Sequence, residues 1–337
     1  MNARNRKSFL ADNSATIGML LFVICFYGLL IFSRANVGRP LTVETHGPIW
    51  NAGAHWARAP VYGAATLALL FVVTAGIALN VYFFTKRAKG LVPIPVSERH
   101  SSVPWGLKDV FQVFVFLFFI EAVILLAEGF AARLFGLKTL EKDFYLMVNS
   151  LFRDVLVAFF VVFLVVKKFK RPLSDIGLTA RNFFRNVATG LVGYLALIPY
   201  LLVLLFILAW IAQTFSYEPP PQTVVEIYMR ESHQKVLVFF TLFVAVLGPT
   251  LEEIFFRGFT YKAFRARWGV RGALVGSALV FSALHMNLIA FLPIFVLGIL
   301  LAYLYEKTGS LVPSMAVHVT HNLLMVIFTL CFKALSG

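Results

Sequence analysis

Two adjacent carboxylates, Glu252 and Glu253, stand in the stretch 248–264, GPTLEEIFFRGFTYKAF, with an arginine at 257 and the apolar run 236–247 just before them. A charged side chain at the centre of a membrane helix costs roughly 2.5–3.5 kcal/mol even on lenient insertion scales, so acids at that depth usually line a cavity or a site. On a helix, Glu253 and Arg257 are spaced i,i+4 with the acid first, the favoured order for an ion pair. Glu252 points about 100° away from that pair. One acid is therefore neutralised by its neighbour, and the other is left to face something else.

Two further polar clusters follow within the last hundred residues. Phe281-Ser-Ala-Leu-His285 has its two ends on one helix face, and in His318-Val-Thr-His321-Asn322 the first and last residues are again i,i+4. A lone histidine in an apolar helix is more often a hydrogen-bonded packing residue than a ligand. Two glutamates, an arginine, two histidines and an asparagine on nearby helices are harder to account for that way, since each needs its own buried partner. A carboxylate in an apolar pocket can act as general base on water. Imidazoles can hold that water, bind a metal or protonate a leaving amine, and an asparagine amide suits a developing oxyanion. Ser282 and Ser314 are more simply small residues for close helix packing. The chemistry implied is hydrolysis by activated water.

The elements that must carry these residues are membrane helices. The chain has 337 residues, 60% of them hydrophobic and 14% charged, with mean hydropathy +0.83. Soluble domains run near 45–50% apolar and 25% charged, and several runs here reach the roughly 20 apolar residues of a membrane span. The expected fold is all-α, a polytopic helical bundle of about nine transmembrane helices. The spans predicted are 16–32, 61–85, 110–127, 154–166, 187–212, 236–264 (bent or broken at Gly248-Pro249), 273–286, 289–305 and 313–332. The fourth is short unless it begins near Leu146, which brings Arg153 and Asp154 into the interface. Glu121, in the third, is expected to face a cavity or pair with another helix. The segment 167–185 reads as an amphipathic stretch on the membrane surface. On this count Glu252 sits near the middle of its helix and His285 near the outer end of a short one.

Residues 1–235 form an N-terminal set of helices and loops, and 236–333 a C-terminal four-helix catalytic unit. The formal charge of +14 sits in short loops between apolar runs, which is a topology signal and not a nucleic-acid surface. Most of the Lys and Arg fall on the side holding the N-terminus and the loops at 86–108, 167–185 and 262–271. That side, with the N-terminus, is expected to be cytoplasmic, in an integral multi-pass protein of the plasma membrane if the host is bacterial. Cys25 and Cys331 lie inside apolar runs, without a disulfide framework or a cysteine metal motif.

The order EExxxR, FxxxH, HxxxN on successive helices resembles the CAAX-protease and bacteriocin-processing (CPBP) family, over about 236–332. Each motif alone is weak, and the three in order are specific. The resemblance implies an intramembrane endopeptidase in which Glu252 activates water, His285 helps hold it, and Glu253 with Arg257 forms the supporting pair. His318 and Asn322 would line the oxyanion side, or His318 would join His285 in a metal shell. His321 matches no motif position and is expected to be structural. The implied partners are membrane lipid and a peptide or protein substrate, such as a lipidated C-terminal tail or a peptide toxin. The alternatives are a non-proteolytic scaffold or immunity relative, and a proton-coupled transporter, which the missing inverted repeat disfavours. Two imidazoles and a carboxylate also have the composition of a site for one Zn2+. A metal-free, glutamate-activated water is the preferred reading, because the histidines are not set i,i+4 on one helix as in HExxH.

Overall fold

A computed structural model describes residues 16, 19–24, 59–90, 102–135, 142–217 and 222–336. Most of the predicted first span, the loop bearing Trp50 and Trp56, and the prolines at 219–221 lie outside the described residues. The described helices are α1 Ala59–Ala88, α2 Leu107–Phe135, α3 Lys142–Phe163, α4 Phe183–Thr214, α5 Thr223–Arg230, α6 Gln234–Leu242, α7 Gly248–Glu253, α8 Lys262–Leu284, α9 Leu288–Thr308 and α10 Val312–Ser336. Seven described segments are long and apolar enough to cross a membrane. Large apolar side chains such as Phe71 and Phe206 face outward, the arrangement of a bundle whose solvent is hydrocarbon. The fold is an all-α, multi-pass membrane bundle.

The fifth of those segments, Gln234–Leu284, is 51 residues long. As one straight rod it would reach about 75 Å, more than twice the ~30 Å of hydrocarbon, so it must fold back. It does so at Gly269, whose φ of 67° and ψ of −175° lie in a region essentially open only to glycine. Glu252 lies about as far before this hinge as His285 lies after it. The two legs therefore bring the glutamate and the histidine level, which the helix count by itself left mismatched.

The chain does not break at Gly248-Pro249. Two π-helical stretches, Phe243–Leu247 and Ile254–Tyr261, flank α7 and keep the leg continuous from Gln234. The Gly248 N–H reaches back to Phe243 O, and Pro249 brings no N–H of its own. Widened turns of this kind recur at functional sites.

α3 begins at Lys142 and its apolar span runs from Met147 to Lys168, the longer of the two expected forms, so Arg153 and Asp154 lie inside the helix. They are tolerated there because Arg153 pairs with both Asp154 and Glu121 of α2. The segment 167–185, expected as an amphipathic stretch, does not form one continuous helix. Pro172 and Gly177 (φ 82°) bound a short 3-10 turn, Leu173–Ile176, and Ile176 is wholly buried against the bundle.

The second leg of α8 and α9 form a tight hairpin. Asn287 caps α9, its Oδ1 accepting from the Ala290 N–H at 2.9 Å. A Cβ on Gly298 would meet Ala278 Cβ at 3.1 Å, so glycine permits the close approach. α3 packs on α7, while α10 packs along α4, α7 and the π turn at Phe243–Leu247. The acid pair is thus enclosed by helices from both halves of the chain.

Candidate active site

α7 supplies both glutamates, and the helix period sends them to different surroundings. Glu253 and Arg257 have fully buried side chains, with Arg257 Nη1 donating to Glu253 Oε1 at 2.9 Å. Arg257 Nη2 also donates to Gly298 O at 3.3 Å. The guanidinium carbon stands 4.3 Å from the Phe281 ring centroid, within cation–π range. Two polar atoms of this pair, Glu253 Oε2 and Arg257 Nε, have no hydrogen-bond partner among the described residues.

His318 joins the pair from α10. Its Nδ1 lies 2.9 Å from Glu253 Oε1. A carboxylate only accepts, so Nδ1 carries the proton and Nε2 is turned toward Glu252. The Nε2 to Glu252 Oε2 distance is 3.9 Å, too long for a direct hydrogen bond. Glu252 Oε2 has no hydrogen-bond partner among the described residues, and its side chain is 30% exposed.

His285 is the C-cap of α8. Its Nδ1 donates to Phe281 O at 2.8 Å, one of the carbonyls that a helix end leaves without an intrahelical donor. Its Nε2 is thereby the acceptor in the neutral ring. The Phe281 ring meets both imidazoles edge-on, at 4.8 Å for His285 and 5.5 Å for His318.

Asn322 donates from Nδ2 to Val244 O at 2.9 Å. That carbonyl is available because the π turn gives the Gly248 N–H to Phe243 instead. One amide N–H of Asn322 remains. His321 bonds Tyr194 OH at 2.8 Å through Nδ1, a packing contact with α4, and it too lines the cavity beside Glu252.

Glu252, His285, His318 and Asn322 line a single cavity of about 300 Å³. Glu253 and Arg257 are not among its lining residues and sit behind them. No group of three His, Cys, Asp or Glu side chains among the described residues is set to hold a metal ion. Glu252, His285 and His318 are the residues that would hold one, and they do not make a three-ligand zinc site.

Reasoning from sequence missed two residues at this cavity, Arg153 and Asp154 of α3. Glu121 of α2, expected to face a cavity or pair with another helix, holds Arg153 and lines an adjoining cavity. The signal of the missed pair was an Arg-Asp dipeptide at the start of an apolar run, which marks pairing without saying with what.

No curated protein and no solved structure matched the chain. Residues 234–324 match the family model described as type II CAAX prenyl endopeptidase Rce1-like, less than a third of the chain but the part that holds all three motifs. Over those residues, from α6 into α10, the chain is similar to CAAX-type membrane proteases.

Proposed function

We propose that the chain is an intramembrane endopeptidase that hydrolyses a peptide bond with water activated by Glu252. The observation that carries this reading is the division between the two acids. Glu253 is committed to Arg257 and His318, whereas Glu252 faces the cavity with an unpartnered oxygen. A base must also reach the substrate, and of the two acids only Glu252 lines the cavity.

In the proposed reaction a water held between Glu252 and His285 Nε2 gives its proton to Glu252 as its oxygen attacks the substrate carbonyl. The oxyanion that forms is met by the remaining Asn322 N–H. The proton on Glu252 then passes to the departing amine, which leaves a free carboxylate and a free amine. Arg257 supplies the positive charge that faces Glu253 inside an apolar wall of Phe255, Phe256 and Phe281. A zinc ion would supply Lewis-acid activation of the same water. Glu252, His285 and His318 do not make a three-ligand site for it, and no step here runs through it.

The substrate class is a membrane-embedded or membrane-tethered peptide, with a lipidated C-terminal tail of the CAAX type as the first candidate. The test is cleavage of a quenched-fluorescent CAAX peptide, farnesylated at its cysteine, by purified protein in lipid nanodiscs. Glu252→Gln is expected to lower kcat at least about 100-fold, the scale of a lost general base. Wild-type turnover in Glu252→Gln would remove Glu252 as the base, and absence of cleavage by the wild type would remove the endopeptidase reading and leave a binding role for the same fold.

A further inference from the structure

The space beside Glu252 continues past it. A second cavity, of about 430 Å³, lies between α2, α3 and the end of α8, with Leu117, Phe118 and Phe255 among its walls. Four residues line both cavities: Glu252, His285, Arg153 and Asp154. A peptide cleaved at Glu252 that extends on both sides of the broken bond must therefore pass Arg153 and Asp154.

The arrangement of Arg153 suits a role there. Its Nε donates to Asp154 Oδ1 at 3.2 Å and its Nη1 to Glu121 Oε2 at 3.3 Å. Two carboxylates from two helices thus orient the guanidinium plane. Nη2 makes no hydrogen bond to any described residue, and the side chain is 30% exposed. A bond that served only to join α2 to α3 would not require the pair to border both cavities. Because two carboxylates already offset the positive charge, a neutral carbonyl oxygen suits Nη2 better than another anion.

We propose that Arg153 binds the substrate backbone, with Nη2 donating to a carbonyl oxygen of a peptide that bridges the two cavities across Glu252. This rests on the endopeptidase reading and adds to it a specificity-determining residue from outside the matched region 234–324. The bridging peptide places apolar side chains in the cavity walled by Leu117 and Phe118 and polar backbone at the junction.

The test uses the full chain in nanodiscs and the farnesylated fluorogenic CAAX peptide. Loss of a hydrogen bond from a charged donor predicts a KM about 10- to 100-fold higher in Arg153→Met, with kcat within about threefold of wild type. Arg153→Lys is expected to fall between the two. A wild-type KM in Arg153→Met overturns the inference, as does a loss confined to kcat. A C-terminally amidated peptide is expected to keep the KM of the free acid. If amidation alone raises KM to the Arg153→Met level, the contact is to a terminal carboxylate and the backbone assignment fails.

A second measurement does not depend on how well Arg153 variants fold. Photo-crosslinking side chains are installed one at a time at Ser150, which lines the first cavity, and at Leu117, which lines the second, in a Glu252→Gln background. Both are expected to capture the peptide, and capture at only one position overturns the bridging path. Absence of cleavage by wild type would instead defeat the endopeptidase reading itself, and full activity in Glu252→Gln would defeat the assignment of Glu252 as its base.

Discussion

The two glutamates differ in burial and in partners, so their amide variants should separate stability from activity. In Glu253→Gln, Arg257 keeps its charge at a position with no exposure and loses the carboxylate 2.9 Å away. What remains is the Gly298 carbonyl at 3.3 Å and the face of Phe281, neither of which carries a formal negative charge. Breaking a buried pair by removing one partner typically costs about 3–5 kcal/mol, because the other charge is left uncompensated. His318 Nδ1 also loses a charged acceptor, which adds to the cost. In Glu252→Gln no ion pair of hydrogen-bonding length is broken, and the expected change is within about 0.5 kcal/mol. The assay is unfolding by SDS titration in mixed micelles, followed by tryptophan fluorescence, for both single variants and for the cycle of Glu253→Gln with Arg257→Met. The double variant removes both charges and should recover a large part of the loss, with a coupling of about 2 kcal/mol or more. Equal destabilisation by the two glutamate variants, or coupling near zero, would refute the assignment of Glu253 as the structural acid.

Other consequences are tested separately. At Gly269 a side chain meets no neighbour within 4 Å, so any loss in Gly269→Ala reports backbone strain at φ 67°. A destabilisation of about 1–3 kcal/mol is expected, together with reduced activity as Glu252 and His285 leave a common level. Gly63, also open but inside α1, is the control, and Gly63→Ala should be neutral or slightly stabilising. On topology, single cysteines at 89 and 222, in a background without Cys25 and Cys331, should react from opposite sides of the membrane, with 89 cytoplasmic. Labelling of both from one side would contradict the order of spans. On metal dependence, peptidase activity should survive chelation, and purified protein should hold far less than one zinc per chain. Stoichiometric zinc that vanishes in a His285→Ala, His318→Ala double variant, with activity following it, would reverse the preference for an unassisted water.

The sequence by itself determined what is local in nature. Mean hydropathy and the length of the apolar runs require membrane helices, because in hydrocarbon the backbone must satisfy its own hydrogen bonds. The pairing of Glu253 with Arg257 follows from the helix period, since residues four apart share a face wherever the helix is placed. The opposite exposure of Glu252 follows from the same period. Tertiary structure decided whatever depends on how distant segments meet. His318 reaches Glu253 across 65 residues and Asn322 reaches Val244 O across 78, distances over which a repeat of 3.6 residues carries no information. The level match of Glu252 and His285 depends on where the chain turns, and a glycine among many becomes the hinge only when the packed legs demand its φ. The π turns on either side of α7 also arise in packing, since a proline in an apolar run is compatible with a kink, a break or a widened turn. The role of α3 was hidden for the same reason: an Arg-Asp dipeptide in an apolar run indicates that its charges are paired, while only the packing of α3 on α7 brings that pair to the edge of the cavity that holds Glu252.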